Sequence, residues 1–297
     1  MDRFDAMTCC WRWSTPAAFL PGARRLHAPL ATVSRIADLE RHLGVPLVLR
    51  TRRGLSLTEE GRAFVAASRR ILDELDAAER QASGDHGALR GGLHVTAPVA
   101  FGERHLLPIA LEFLKEQPII NLRLTLVDRQ INLADEQVDV ALRIGHLTDS
   151  ALIATRVGSV RRVICASPDY LARRGVPRQP EELVGHDGIS FQGFATAPEW
   201  RYRRDGPAFS IEPRPKLAVN TTEAAVQAAL AGIGIIRVLS YQISDQLRSG
   251  ALQELLTEFA PEPLPVNVMH GPADPLSQKV RCFLDWIVPR LRAQMAY

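Results

Sequence analysis

Arg24-Arg25-Leu26-His27-Ala28-Pro29-Leu30-Ala31-Thr32-Val33-Ser34-Arg35, followed by Leu39-Glu40-Arg41-His42-Leu43-Gly44-Val45-Pro46-Leu47, is the stretch on which the fold turns. It reads as a short helix, a tight turn and a second helix that opens with small polar side chains and an arginine. That is how a helix-turn-helix offers a reading head to the DNA major groove. Downstream, Leu49-Arg50-Thr51-Arg52-Arg53-Gly54-Leu55-Ser56-Leu57 sets a glycine between two short runs and suits a hairpin wing. Thr58-Glu59-Glu60-Gly61 then puts a capping hydroxyl and two acids where a further helix should start.

Charge supports this reading. Residues 1 to 60 hold nine arginines against six acids, so the whole net charge of +3 sits there and the rest of the 297 residues balances to zero. A polyanion partner is expected. No window approaches the roughly 20 uninterrupted apolar residues of a membrane span, and the beginning lacks the features of a secretory signal, so a cytoplasmic protein is expected. Cys9, Cys10, Cys165 and Cys282 form no Cys-x-x-Cys pair and have no companion histidine cluster. Reduced thiols, with no metal and no cofactor, are expected.

Beyond Thr58, positions Phe64, Ser68, Ile71, Leu75, Ala78 and Ala82 alternate by fours and threes and lay one seam along a long helix. The seam allows packing within the domain or pairing with a second copy, and pairing is favoured because Ser83-Gly84-Asp85-His86-Gly87 reads as a flexible link. From Leu89 strands and helices alternate. Strands are expected at Leu93–Ala97, Leu122–Val127, Val138–Ile144, Arg162–Ala166, Ile233–Ile236 and Pro265–Met269, with helices at Leu106–Leu114, Glu223–Ala231 and Ser277–Val288, the last ended or kinked by Pro289. The pattern predicts mainly parallel, helix-covered sheets in two α/β lobes with a ligand cleft between them.

An enzyme is not expected. No nucleophile elbow, zinc-protease helix, phosphate-binding loop or dinucleotide turn is present, and His105, His146, His186 and His270 are dispersed as isolated surface or core residues. The rival reading is a small-molecule sensor without DNA binding, which accounts for residues 89 to 297 but not for the basic N-terminal unit.

Taken together, Met1–Met7, Ala23–Leu26 into Val33-Ser34-Arg35, Leu39–Leu47, Leu55–Gly61, Leu93–Pro98, Asp139–Gly145 and Leu230–Ile235 resemble the LysR-type transcriptional regulators over nearly the whole chain. The resemblance implies a winged helix-turn-helix over 1–58, a linker helix for dimerisation over 59–88, and a periplasmic-binding-protein-like effector domain over 89–297. Its first subdomain is expected at about 89–161 and 267–297, the second at about 162–266. The implied partners are double-stranded promoter DNA, a small-molecule effector of which an organic acid is the commonest kind, and further copies of the chain as dimer or tetramer.

By the same resemblance, Thr32, Ser34 and Arg35 face bases or phosphates, and Arg50, Arg52 and Arg53 grip the backbone near the wing. An arginine fork can bind guanine bidentately, and its charge supplies the salt-dependent phosphate contribution. The cleft is expected to be lined by Thr96, Ala97, Pro98 and Val99, by Ile144 and Gly145, and by Asn220, Thr221 and Thr222 at the start of a helix. Phe191 and Phe194 read equally well as pocket wall or core.

The chain departs from the family pattern at two places. Thr8–Pro21, with two prolines and an arginine between tryptophans, makes a poor first helix, and one residue is missing at Arg35-Ile36, which rotates the later helix residues by about 100°. The expected cause is a local frameshift and a lost codon. Even so, Val33, Ile36, Leu39 and Leu43 retain an apolar stripe.

Overall fold

In a computed structural model, the described residues are 30–51, 54–65, 67–68, 71–72, 75, 91–129, 133, 136–147, 151–191, 200–202, 209–272 and 276–296. The N-terminal unit begins with α1 (Leu30–Leu43), which runs without a break through Arg35-Ile36. Ile36 and Leu39 are buried on one side, and Ser34 and Arg35 are exposed on the other. Leu43, expected in the apolar stripe, is largely exposed, and the side chain of Val33 lies outside the described residues, as does Thr8–Pro21. Gly44 takes a left-handed conformation (φ 73°) and donates its N–H to Glu40 O, which ends the helix at the residue type that adopts this geometry without strain.

Glu40 carries a second duty. Its Oε1 accepts from the N–H groups of Leu47 (2.7 Å) and Val48 (2.9 Å), which ties the helix to the wing. The wing is the hairpin β1 (Val48–Thr51) and β2 (Gly54–Leu57), antiparallel with Thr51 opposite Gly54. Thr58 Oγ accepts from Gly61 N–H and donates to Pro46 O, each at 2.8 Å, so the predicted cap also anchors the next helix to the turn. Leu39, Leu47 and Val65 form the small core beneath. Of the seam residues, Phe64 packs on this core, Ser68 is buried, Ile71 is exposed and Leu75 half-buried, while Ala78 and Ala82 lie outside the described residues.

The first lobe begins with β3 (Gly91–Ala97). It continues into α2, a helical run made of Val99–Phe101, a π-helical turn Gly102–Leu106, and Leu107–Glu116. Then come β4 (Ile120–Leu126), β5 (Val140–Ile144) and β6 (Ile153–Val160). After one crossing residue, Arg161, the second lobe holds β7 (Arg162–Ala166), α3 (Pro168–Arg174), β8 (Asp187–Phe191), β9 (Arg201–Tyr202), β10 (Phe209–Ser210), β11 (Arg214–Val219), α4 (Thr222–Leu230), β12 (Ile235–Leu239), α5 (Ser244–Arg248) and β13 (Gln253–Leu255). The chain returns to the first lobe as β14 (Leu264–His270) and α6 (Gln278–Met295).

The sheets run β4-β3-β5-β14-β6 and β11-β8-β12-β7-β13. Each is half parallel and half antiparallel, which corrects the expectation of mainly parallel sheets. The crossing strands cause this, because β7 and β14 enter their sheets from the other lobe and run against their neighbours. β14 already pairs with β6 at Leu264, so the return begins before the expected residue 267.

In the second lobe, Val163 and Cys165 face a core with Ala225, Val226 and Ile236, while Ile164 and Ala166 face another with Tyr170, Leu183, Trp200 and Tyr202. Burial on both faces explains the unbroken apolar run.

Three further local expectations need correction. The strand expected over Ile233–Ile236 starts at Ile235, leaving Ile233 exposed, and a Cβ on Gly234 would lie 2.4 Å from Asp187 O. β6 has no counterpart among the expected strands, because most of its residues are exposed or half-exposed and its alternation is weak. α6 continues past Pro289 to Met295, so the proline does not end the helix, one of the two outcomes expected of it. Phe283, Ile287 and Leu291 are buried on both sides of the proline, and Arg290 donates to Trp286 O and stacks on the Trp286 ring at 3.5 Å. Packing there outweighs the lost backbone bond.

Candidate effector cleft and DNA-reading surface

The carboxyl ends of β3 and β5 and the start of α4 are the expected frame of the cleft, and the structure divides the nine residues named there. Thr96 and Ala97 are fully buried, which corrects the reading of them as lining residues. Ala97 enters the helix-covered core, and Thr96 Oγ accepts from Arg143 Nη2 at 3.4 Å on the other face. Pro98, Val99, Ile144 and Gly145 are half-exposed. Gly145 is pinned to β14, donating to Pro265 O and accepting from Asn267 Nδ2. Asn220 and Thr221 are exposed and Thr222 is half-buried. Thr221 Oγ accepts from Ala224 N–H as the cap of α4.

Several polar groups at this edge escape a reading of the sequence alone. Asp128, just past β4, accepts the Val99 N–H at 3.1 Å and so places a carboxylate at the opening of α2. Burial pushes its pKa up, partly offset by the Val99 bond and by Arg143. From the second lobe come Tyr241 and Gln242. Gln242 Nε2 donates to Thr222 Oγ (3.4 Å) and to Tyr241 Oη (3.5 Å), while its Oε1 accepts from Leu239 N–H. A carboxylate directly after a strand end was the available signal for Asp128. Nothing local marks Tyr241.

Tyr241 is where the lobes join. It is buried among first-lobe core residues, edge-on to Phe101 (centroids 5.2 Å) and to His105 (5.5 Å). Around it Arg104 pairs with Asp245, and Ser240 N–H donates to Arg161 O. His105, read as an isolated histidine, accordingly belongs to the joint. Its Nδ1 faces Gln294 Oε1 at 3.1 Å, its Nε2 is buried without a hydrogen-bond partner among the described residues, and burial lowers its pKa. Among the other dispersed histidines, His186 is buried against Tyr170. Phe191 packs partly on the second-lobe core, and Phe194 lies outside the described residues.

On the DNA-reading side, Ser34 and Arg35 project from the exposed side of α1. The side chains of Thr32 and Arg50 lie outside the described residues, as do Arg52 and Arg53. The Cys165 thiol is buried and its pKa pushed up to about 12, and that of Cys282 is raised as well. Among the described residues no helix is long and apolar enough to cross a membrane.

Comparison with known proteins adds to this geometry. A family model described as the LysR substrate binding domain matches residues 86–292, and one described as a bacterial regulatory helix-turn-helix protein, lysR family, matches 18–62. The regulator CrgA of Neisseria meningitidis serogroup B is 34% identical over 277 residues, 92% of each chain. An HTH-type transcriptional repressor of Pseudomonas aeruginosa is 31% identical over 97% of this chain and 92% of its own. The solved structure of CrgA superposes with TM-score 0.61 at 31% identity, covering 97% of this chain and 98% of that one. The full-length Vibrio cholerae virulence activator AphB shares the fold (TM-score 0.62, 24% identity, 97% and 99% coverage).

Proposed function

The chain belongs to the LysR family of DNA-binding transcriptional regulators with an effector-binding domain, and from that premise we propose how its parts divide the work. Residues 1–58 read duplex DNA, 59–88 pair two copies into a dimer or tetramer, and 89–297 hold a small effector between the lobes. Thr32, Ser34 and Arg35 meet bases or phosphates, while Arg50, Arg52 and Arg53 hold the backbone. The observation that carries this is the two-sidedness of α1, which buries Ile36 and Leu39 and leaves Ser34 and Arg35 outward. Two such heads on one dimer match two half-sites.

The effector is a small organic acid held between Pro98, Val99, Ile144 and Gly145 on one lobe and Asn220, Thr221 and Thr222 on the other. Asp128 already holds the amide at the opening of α2, so like-charge repulsion turns the acid's carboxylate away from that pole and toward Thr221-Thr222, where main-chain N–H groups and hydroxyls favour an anion. Binding shifts the balance between lobe arrangements and thereby the spacing of the heads.

Gel retardation with duplex from upstream of the protein's own gene tests the DNA half. Specific retardation is expected to weaken steeply with salt, and Arg35→Ala is expected to cost about 1–3 kcal/mol if it reads a base, or to lower the salt slope by about 0.9 if it holds a phosphate. No retardation at any salt, with effector binding intact, would make the chain a sensor without DNA binding.

A further inference from the structure

The second-lobe sheet carries positive charge on the face away from α4. Along β7, Ile164 and Ala166 enter the core that holds Trp200 and Tyr202, and strand alternation puts Arg162 on that same face. Along β12, Ile235 enters the same core, and the Arg237 guanidinium lies 5.4 Å from the centre of the Trp200 ring. The antiparallel register sets Arg237 opposite Ile164 and Leu239 opposite Arg162. The two arginines are therefore diagonal neighbours on one face, a relation that sets residues about 7–8 Å apart. A single group can bridge two guanidinium forks across such a gap.

The surroundings of the Arg162 guanidinium give it no hydrogen-bonding or ion-pair partner among the described residues. Burial lowers the pKa of both arginines, Arg237 to about 10, and the charge of Arg162 acts on Arg237 in the same direction. Glu212 and Tyr202 act oppositely on Arg237, but Glu212 is exposed. The pKa of the Arg162 guanidinium is moved by burial alone. The Tyr202 hydroxyl, on a side chain only 2% exposed, has no hydrogen-bond partner among the described residues either. Folding has therefore buried a phenolic donor without a partner and half-buried the unpartnered Arg162 guanidinium on the same sheet face, an arrangement that costs free energy unless something satisfies it.

We infer that Arg162, Arg237 and the Tyr202 hydroxyl, with Trp200 as an apolar wall, form an oxyanion site on the second lobe, which takes a carboxylate or phosphate group. Such a group accepts charge-assisted hydrogen bonds from both arginines and from the phenol, and cancels the repulsion between the guanidinium groups. Arg162 directly follows the crossing residue Arg161, whose carbonyl accepts from Ser240 beside Tyr241, so occupancy acts next to the joint between the lobes.

The test is titration of the full-length protein with acetate, inorganic phosphate and sulfate at constant ionic strength, followed by calorimetry and thermal unfolding. Saturable binding of at least one oxyanion is expected, and the arm that responds identifies the group as carboxylate or phosphate-like. Arg162→Gln is expected to weaken it about tenfold or more and Tyr202→Phe by a smaller factor. Arg162→Lys retains part of it, and Arg178→Gln, which removes an exposed arginine of the same lobe, leaves it unchanged. Circular dichroism establishes that each variant is folded. No saturable binding, or binding that survives Arg162→Gln undiminished, overturns the assignment.

Discussion

In the first lobe, several buried or half-buried polar groups find partners within the lobe. Thr96 accepts from Arg143, Asp128 from Val99 N–H, and His94 spans Gln137 O and Thr125 Oγ with its two ring nitrogens. In the second lobe, neither Tyr202 Oη nor the Arg162 guanidinium has a hydrogen-bond partner among the described residues. The first lobe's exception is His105 Nε2, which sits at the joint where Tyr241 enters from the other side. The contrast is therefore between a buried phenol left unmatched in the second lobe and a buried hydroxyl matched in the first, and Tyr241 joins the two.

The sharpest way to break this comparison is Tyr241→Ala. Removing a buried aromatic costs about 3–5 kcal/mol, and because this one is shared, chemical unfolding should split into two transitions as the lobes lose their common contact. A single transition of undiminished cooperativity would mean that the lobes are coupled elsewhere.

A paired experiment sharpens the contrast in hydroxyl satisfaction. Tyr202→Phe deletes an unmatched buried hydroxyl and should raise stability by about 1–3 kcal/mol, whereas Thr96→Val deletes one that is matched as an acceptor from Arg143 and should lower it by about 0.5–1.5 kcal/mol. Denaturant midpoints decide, and equal signs would dissolve the distinction.

The smallest effect concerns Asp128. Its folded pKa is raised, so the folded state binds the proton more tightly than the unfolded one; the contribution is fully present below the ordinary value of 3.8 and is lost as pH rises through the raised pKa. Asp128→Asn keeps an acceptor for Val99 N–H and should flatten that slope while changing neutral-pH stability by less than about 1 kcal/mol. An unaltered pH profile in the variant would show that other groups set it.

Much of this architecture could be read before any coordinates, and the readable parts share a property. The Thr58 cap, the wing hairpin and the strands Gly91–Ala97 and Val140–Ile144 are each set by interactions within a few residues or by alternation along one strand. The failures also share one. Pro289 stays helical because distant core residues hold Phe283 and Leu291, and β6 forms from a largely exposed segment because β14 returns to pair with it. Thr96 and Ala97, placed correctly at a strand end, are closed off because Ala97 enters the helix-covered core and Arg143 of β5 reaches Thr96 on the other face.

The sequence by itself therefore determined the order of units, the family, and the basic head with its two-sided helix, since periodicity, caps and charge are properties of neighbouring residues. Only the tertiary structure decided that Asp128 meets Val99, that Tyr241 joins the lobes, and that Arg162 and Arg237 share one face. Those meetings depend on the register between strands far apart in the chain, and shifting one strand by a single residue would send each side chain to the opposite face.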